Sequence, residues 1–387
     1  MKKKIAILGS TGSIGTSLLK LIHKDKKTFT IQLLSANKNY KKLLRQAKIF
    51  DVKNLIITDI NSFNKLKIKT KELNINVFNN FDSLNKIFKN KIDYVMSSII
   101  GLEGLNPTIK IIKHTKNIAI ANKESIICGW SLLNFQLKKN NTNFIPVDSE
   151  HFSIWYGLQN IPLNKVEKFY LTASGGPLLN YPINKFHKVS VTQTLKHPNW
   201  KMGKKISVDS ATMMNKIFEI IEANKIFNIP YAKLSILIEP SSYIHAILKF
   251  NNGMIKIIAH DTTMVVPIFN TLYLNKNKIL KTKKININKL NNLDLKLLNH
   301  NKFPVINILK KLKNNTTMFE TVIVSANDQL VNLFLKKKIK YLDISRLLLK
   351  VINMKEFKKY NSIKPKAVKS ILDLSKYVRL KINSMCV

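Results

Sequence analysis

The sequence predicts an α/β protein: a doubly wound parallel sheet at the N-terminus, a central α/β domain and a C-terminal α-helical domain. Three observations carry this. Short apolar runs alternate with helix-periodic stretches over the first 150 residues. A glycine-rich turn follows directly on the first of those runs. Beyond residue 300, three segments keep a helical period with no strand between them.

The elements follow in order. The run from Ile5 to Leu8 stops at Gly9, as a buried parallel strand would, and a helix is expected from Ile14 to His23. Further strands are expected from Phe29 to Leu34, Leu55 to Thr58, Tyr94 to Ser97, Ile118 to Ala121 and Asn143 to Val147. Residues 1–150 thus form one domain. Residues 151–290 read as mixed α/β, with strands from Phe169 to Leu171, Leu234 to Ile238, Tyr243 to Phe250 and Met254 to His260. Between them lies a Gly/Pro-bearing segment, about 174–205, that reads as a flexible loop or lid. The Lys/Asn-dominated stretch from Asn275 to Asn301 reads as a linker, and 291–387 as linker plus a small bundle with helices from Phe319 to Leu335, Leu342 to Met354 and Pro365 to Asn383.

The composition is lopsided. Of 387 residues, 65 are Lys or Arg and 22 Asp or Glu, a net charge of +43. Such a charge raises nucleic acid as a partner, but 62 of the cations are Lys and three are Arg (Arg45, Arg346, Arg379). Arg, with its planar fork, is what phosphate and guanine readers use. Lys, Asn and Ile supply 159 residues spread along the whole chain, the drift of an AT-rich genome. Two cysteines, Cys128 and Cys386, exclude a disulfide framework and a Cys-based zinc cluster, and suit a reduced cytoplasmic setting. No apolar run reaches the ~20 residues a membrane span needs. The Met1–Lys4 start is not read as a signal peptide, because the apolar run from Ile5 to Leu8 is too short for one. The expectation is therefore no membrane and no nucleic acid.

Gly9-Ser10-Thr11-Gly12-Ser13-Ile14-Gly15 sits between the first strand and its helix, where backbone amides can approach a pyrophosphate at a helix N-terminus. This makes the first domain Rossmann-like. About twenty residues on, an NAD site carries an acid for the ribose hydroxyl; here the strand ends in Asn37-Lys38-Asn39. A carboxylate would repel a 2′-phosphate and Lys38 would attract it, so NADP is expected.

In so basic a chain, clustered acids stand out. Asp148 and Glu150 follow a strand, and two residues apart in extended geometry they would face one side. Farther on, Asp209 or Ser210 is a suitable N-cap for a helix on which Asn215 and Glu219, four apart, share a face with Lys216 and Glu222 close by. Three carboxylates without Cys suit a hard divalent cation, Mg²⁺ or Mn²⁺. Ser174-Gly175-Gly176 is a small-residue turn suited to an anion. His197 and Trp200 stand on the expected lid, which would exclude water from a hydride transfer. Lys123, after a strand whose end opens on the cofactor cleft, is a candidate for polarising a substrate oxygen. The residues alone point to metal-assisted reduction of a phosphorylated carbonyl compound, and they leave the substrate unnamed.

These segments together resemble the 1-deoxy-D-xylulose 5-phosphate reductoisomerase family. The matching stretches are ILGSTGSIG at 7–15, ANKES at 121–125, PVDSEH at 146–151, SGGP at 174–177, HPNW at 197–200 and KISVDSATMMNK at 205–216. The resemblance implies NADPH held by Thr11, Gly12, Ser13 and Ile14 at its pyrophosphate, by Asn37, Lys38 and Asn39 at its 2′-phosphate end, and by Asn122, Glu124 and Gly203. It implies a divalent ion (Mn²⁺, Mg²⁺ or Co²⁺) on Asp148, Glu150 and Glu219. Lys123, Ser149 and Glu150 would meet the oxygenated end of the substrate. Ser174, His197, Ser210, Asn215 and Lys216 would take the rest of it, mainly the phosphate, with Trp200 closing above. The implied catalytic set is Lys123, Asp148, Glu150, Glu219 and His197. The implied assembly is a homodimer, and the implied reaction converts 1-deoxy-D-xylulose 5-phosphate to 2-C-methyl-D-erythritol 4-phosphate by skeletal rearrangement and hydride reduction, a step of isoprenoid precursor synthesis. The chain departs from the family at Asn37, where Gly is usual, at Glu103 and Asn106, and at Asp328, where Glu is usual. Two other readings stay open: another metal-assisted NADP-dependent reductase of a phosphorylated small molecule, and a basic nucleic-acid-binding protein.

Overall fold

Ile5, Ala6, Ile7 and Leu8 have no solvent exposure at all, the mark of a strand covered on both faces. They belong to β1 (Lys3–Leu8), at the middle of a seven-stranded sheet in the computed structural model, which describes residues 2–274 and 277–386. Its other strands are β2 (Phe29–Ala36), β3 (Asn54–Ile57), β4 (Asn76–Phe78), β5 (Tyr94–Ser97), β6 (Asn117–Ile120) and β7 (Asn143–Pro146). The order is β4-β3-β2-β1-β5-β6-β7, every pair parallel. Successive strands run outward one way from β1 to β4 and then the other way from β5. The sheet therefore has its switch point at β1/β5, where such folds open a crevice at the strands' C-terminal ends.

The chain divides into two compact units, Met1–Ser125 with Ser131–Asp148 and Met264–Leu280, and Ile126–Trp130 with Ser149–Thr263 and Lys281–Val387. The late return to the first unit, which the sequence boundaries do not show, has clear causes. Helix Val265–Leu272 and the residue after it are pinned there by long-range bonds. Lys3 Nζ donates to Leu272 O at 2.9 Å, Tyr94 Oη and Thr271 Oγ1 are 2.9 Å apart, and Tyr273 donates to Asp25 at 2.9 Å while its ring meets Phe29 edge-on at 5.4 Å.

The second unit is built on a five-stranded mixed sheet, ordered β11-β10-β8-β9-β12. Its strands are β8 (Val166–Ala173), β9 (Leu234–Ile238), β10 (Ile244–Phe250), β11 (Ile255–Ala259) and β12 (Lys296–Leu297). Helices Ser149–Gly157 and Met214–Phe227 cover it through Ile154, Ile220 and Ala223, packed with Phe169, Leu171, Ala246 and Leu248. Helices Phe319–Leu335, Tyr341–Asn353 and Val368–Met385 complete the unit. Among the described residues no helix is long and apolar enough to cross a membrane.

Three local expectations are corrected. The segment from Asp148 to Glu150 is not extended: β7 ends at Pro146 and a helix starts at Ser149, so Glu150 sits in a first helical turn, where a carboxylate suits the helix dipole. Asp209 and Ser210 are not an N-cap. They close the helix Lys204–Ala211, and the next helix starts after Met213, which adopts a left-handed φ of 67°. The expected linker begins at Asn275, which with Lys276 lies outside the described residues. Beyond them it carries a short helix, Ile287–Asn291, and β12, paired with β9.

Candidate active site

In the first unit the sequence places two polar centres at the C-terminal ends of strands. The first is the glycine turn after β1. Gly12 starts helix Ser13–Lys24 with no side-chain cap, so its N-terminal amides are left to an anion. A Cβ on Gly15 would lie 2.6 Å from Ser10 Cα, so only glycine lets the helix close down on the turn. The turn is tied to β2 by Ser10 N donating to Ser35 O at 2.9 Å and Gly9 N to Ser35 Oγ at 3.1 Å. Asn37, Lys38 and Asn39 lie exposed beyond β2. Asn37 Nδ2 donates to Thr58 Oγ1 at 2.8 Å, and Asn39 caps helix Tyr40–Phe50. The departure from Gly at 37 carries no backbone strain, since Asn37 is not among the positive-φ residues. Glu103 and Asn106 are exposed.

The second centre follows β6. Asn122 caps helix Lys123–Lys139, accepting from Ser125 N at 2.8 Å, and its Nδ2 donates to Gly101 O at 2.7 Å and to Ile99 O. Glu124 is buried beside it. Lys123 Nζ lies 2.9 Å from Asp148 Oδ2, so the lysine read as a substrate ligand and an acid read as a metal ligand are already a pair.

In the second unit Glu150 and Glu219 come together around one ammonium. Lys216 Nζ lies 2.8 Å from Glu150 Oε1 and also contacts Glu219 Oε2. Ser149 Oγ donates to Glu150 Oε2 at 2.7 Å, and Asn215 Nδ2 to Glu219 Oε1 at 2.5 Å. Burial opposes charge on both partners, and their mutual attraction outweighs it. Glu150 is held well below the usual carboxylate range, and Lys216 is raised above its ordinary value. Two hard-oxygen carboxylates with oxygens within 4.8 Å of each other fit a divalent cation, and the sequence adds Asp148 two residues before Glu150.

A second cluster in this unit gathers uncharged donors. His197 Nδ1 accepts from Asn199 N at 3.2 Å and Trp200 N at 3.0 Å, which puts the neutral ring's proton on Nε2. That nitrogen lies 3.0 Å from Ser174 Oγ. Partial burial lowers the ring's pKa to about 4, so near neutral pH it is an uncharged donor. Gly176 N donates to Ser174 Oγ at 3.1 Å, and a Cβ on Gly176 would lie 2.6 Å from Ser210 O, so the turn and Ser210 are in direct contact. The ring of Trp200 meets His245 edge-on at 6.3 Å, and His245 stacks on His260 at 3.7 Å. Gly203 starts helix Lys204–Ala211 in the open. Asp328, the other departure, holds Lys205 at 3.0 Å and Arg379 at 2.9 Å.

One curated relative matches the chain from end to end. The 1-deoxy-D-xylulose 5-phosphate reductoisomerase of Pelagibacter ubique (strain HTCC1062) is 60% identical over 387 residues, covering 100% of both chains. The chain belongs to the 1-deoxy-D-xylulose 5-phosphate reductoisomerase family. Models of that reductoisomerase match residues 5–129, and models of its C-terminal domains match 144–227 and 261–381. Solved reductoisomerases agree in fold. The Zymomonas mobilis enzyme in complex with NADPH is 30% identical with a TM-score of 0.88, covering 100% of this chain and 99% of that one. A reductoisomerase in complex with NADPH, fosmidomycin and magnesium is 28% identical with a TM-score of 0.91, covering 99% and 98%. Membership makes the chain an enzyme and bears out the α/β class with its helical C-terminal part.

Sequence reasoning passed over two groups that shape these centres. His245, far from any motif, is buried near Glu150, and the half-buried His260 stacks on it. Glu239 is buried and accepts from Ser241 N at 2.9 Å, Tyr243 N at 2.8 Å and Ile244 N at 3.3 Å, shaping the loop that Asn199 also grips through Pro240 O at 2.6 Å. No local pattern announces either.

Proposed function

We propose that this chain converts 1-deoxy-D-xylulose 5-phosphate to 2-C-methyl-D-erythritol 4-phosphate with NADPH and a divalent metal ion. The observation that carries this reading is the convergence of Glu150 and Glu219 on one cation, in the same unit as the uncharged Ser174–His197 pair. Asp148, Glu150 and Glu219 hold the ion, magnesium or manganese. When bound, the ion draws charge from the ketone and hydroxyl oxygens while the skeleton rearranges, and NADPH supplies the hydride. Ser174, His197 Nε2–H, Ser210, Asn215 and Lys216 bind the substrate, chiefly its phosphate, and anchor the end remote from the reacting carbons. Lys123, Ser149 and Glu150 orient the oxygenated end. The segment 174–205 with Trp200 is the lid that excludes water. Thr11, Gly12, Ser13, Ile14, Asn37, Lys38, Asn39, Asn122, Glu124 and Gly203 take NADPH.

The functional division into 1–150 for the cofactor, 151–290 for catalysis and 291–387 as the helical end is supported by the separate matches at 5–129, 144–227 and 261–381. The assembly is a homodimer in the cytoplasm. Its support is β11, an edge strand whose Ile255 and Ile257 are 58% and 50% exposed, an open ladder suited to a second copy. Cys128 and Cys386 are thiols rather than disulfide partners, which suits a reducing compartment.

The test is NADPH oxidation on adding 1-deoxy-D-xylulose 5-phosphate with Mn²⁺ or Mg²⁺, before and after chelation. Glu219→Gln lowers turnover by at least ~10²-fold and leaves NADPH binding unchanged. Activity that survives exhaustive chelation sinks the metal assignment, and equal loss of turnover and NADPH binding makes Glu219 structural.

A further inference from the structure

The glycine turn holds a cation that sequence reading passes over. Lys42 lies in the first turn of helix Tyr40–Phe50, and its own backbone N–H is the one Asn39 caps, at 3.1 Å. From there Nζ donates to Thr11 O at 2.8 Å and to Thr16 Oγ1 at 2.9 Å. Gln46, four residues on and on the same helix face, grips the same turn: Nε2 donates to Ser10 O at 3.0 Å, and Oε1 accepts from Ser10 Oγ at 2.8 Å. Gln46 already anchors the helix to the turn without any charge.

Lys42 brings a charge there that its partners do not neutralise. They are a carbonyl and a hydroxyl, and among the described residues no carboxylate forms an ion pair with it. An ammonium has three donors, and two are spent, one on the turn and one on the helix that follows it. The position is also specific. Nζ stands between the glycine turn and the chain leaving β2, where a doubly wound fold lays the adenosine ribose. Lys38, the cation expected at that place, is exposed, and its charge acts on Asp59, the cap of helix Ile60–Lys69.

We infer that Lys42 binds the 2′-phosphate of NADPH and sets the preference for NADPH over NADH. This rests on the cofactor reading above and adds to it the residue that does the discriminating. Fixed by two hydrogen bonds before the cofactor arrives, the side chain loses little further freedom on binding, unlike an exposed lysine.

The test is direct binding to the full-length protein without substrate. Wild type, Lys42→Met, Lys42→Arg and Lys38→Met are titrated with NADPH and with NADH, reading nicotinamide fluorescence, with a thermal melt of each. Lys42→Met weakens NADPH by ~10–100-fold and NADH by less than about threefold, while Lys42→Arg keeps most of the discrimination. Equal weakening of both cofactors would make Lys42 a strut of the turn and overturn the assignment. An unchanged NADPH-to-NADH ratio in Lys42→Met, with a collapsed ratio in Lys38→Met, overturns it in favour of Lys38. A wild type that binds both cofactors alike refutes the cofactor reading itself, and the role of Lys42 falls with it.

Discussion

Gly176→Ala is the sharpest perturbation of the Ser174–His197 cluster that leaves every polar group in place. Gly176 has a φ of +68°, and a Cβ built there lies 2.6 Å from Ser210 O, 2.9 Å from Ser210 C and 3.2 Å from Ala211 Cα. Two costs follow. The left-handed conformation costs an alanine about 1–2 kcal/mol. The overlap, against a backbone that cannot rotate away, costs ~1–3 kcal/mol more as the end of helix Lys204–Ala211 shifts. Gly253 supplies the control, since its φ of +85° carries the first cost and nothing lies within 4 Å of its Cβ. Gly253→Ala should therefore lower stability by about 1–2 kcal/mol and leave catalysis alone. Gly176→Ala should lower stability by ~2–5 kcal/mol and displace Ser210 from Ser174, cutting kcat/KM by ~10–100-fold. Urea unfolding and steady-state kinetics on the two variants read both numbers. If Gly176→Ala keeps kcat/KM within about threefold of Gly253→Ala, the contact between the turn and Ser210 does not position the substrate and the reasoning fails.

Two further outcomes follow from buried charge. His197 has its pKa lowered from 6.5 to about 4, so between those values the unfolded chain takes up a proton that the folded ring refuses. Stability therefore falls as pH drops through that window, and His197→Asn should flatten that part of a urea-midpoint curve; an unaltered slope would contradict the assignment. Lys225 and Glu320 pair at 2.6 Å, each 1% exposed, so Glu320→Gln strands a buried ammonium and should cost ~3–5 kcal/mol of unfolding free energy. The double variant with Lys225→Met should recover much of that loss, and a Glu320→Gln protein within about 1 kcal/mol of wild type refutes the estimate.

What the sequence disclosed and what it hid divide along the range of the interactions concerned. β1, β5 and β9 lie where apolar runs end in turn residues, and the glycine turn is recognisable because all its requirements are local. Asp148, Glu150 and Glu219 stood out because acids are scarce in this chain. Extended geometry does not bring Asp148 and Glu150 to one side, however, since a helix begins at Ser149. The break at Met213 has no propensity signal, because a left-handed methionine is held by its surroundings rather than by its own preference. β12 was hidden in a polar stretch because only pairing with β9 makes it a strand. Lys42 was one lysine among 62, and its partner Thr11 lies 31 residues away.

The order in which the chain visits its two units has a bearing on how it is made. The first unit is closed by helix Val265–Leu272, so a nascent chain that has emerged through Asp148 owns all seven strands of the first sheet and still lacks the piece that covers Phe29 and bonds Tyr94. About 130 more residues, most of the second unit's sheet among them, must be synthesised first, on the order of 10 s of elongation. During that interval the surface around Phe29 and Tyr94 that the helix later contacts is open to misassociation. For the same reason, a fragment cut after Asp148 should be expressed with residues 264–280 supplied, in cis or in trans, if it is to fold as a unit.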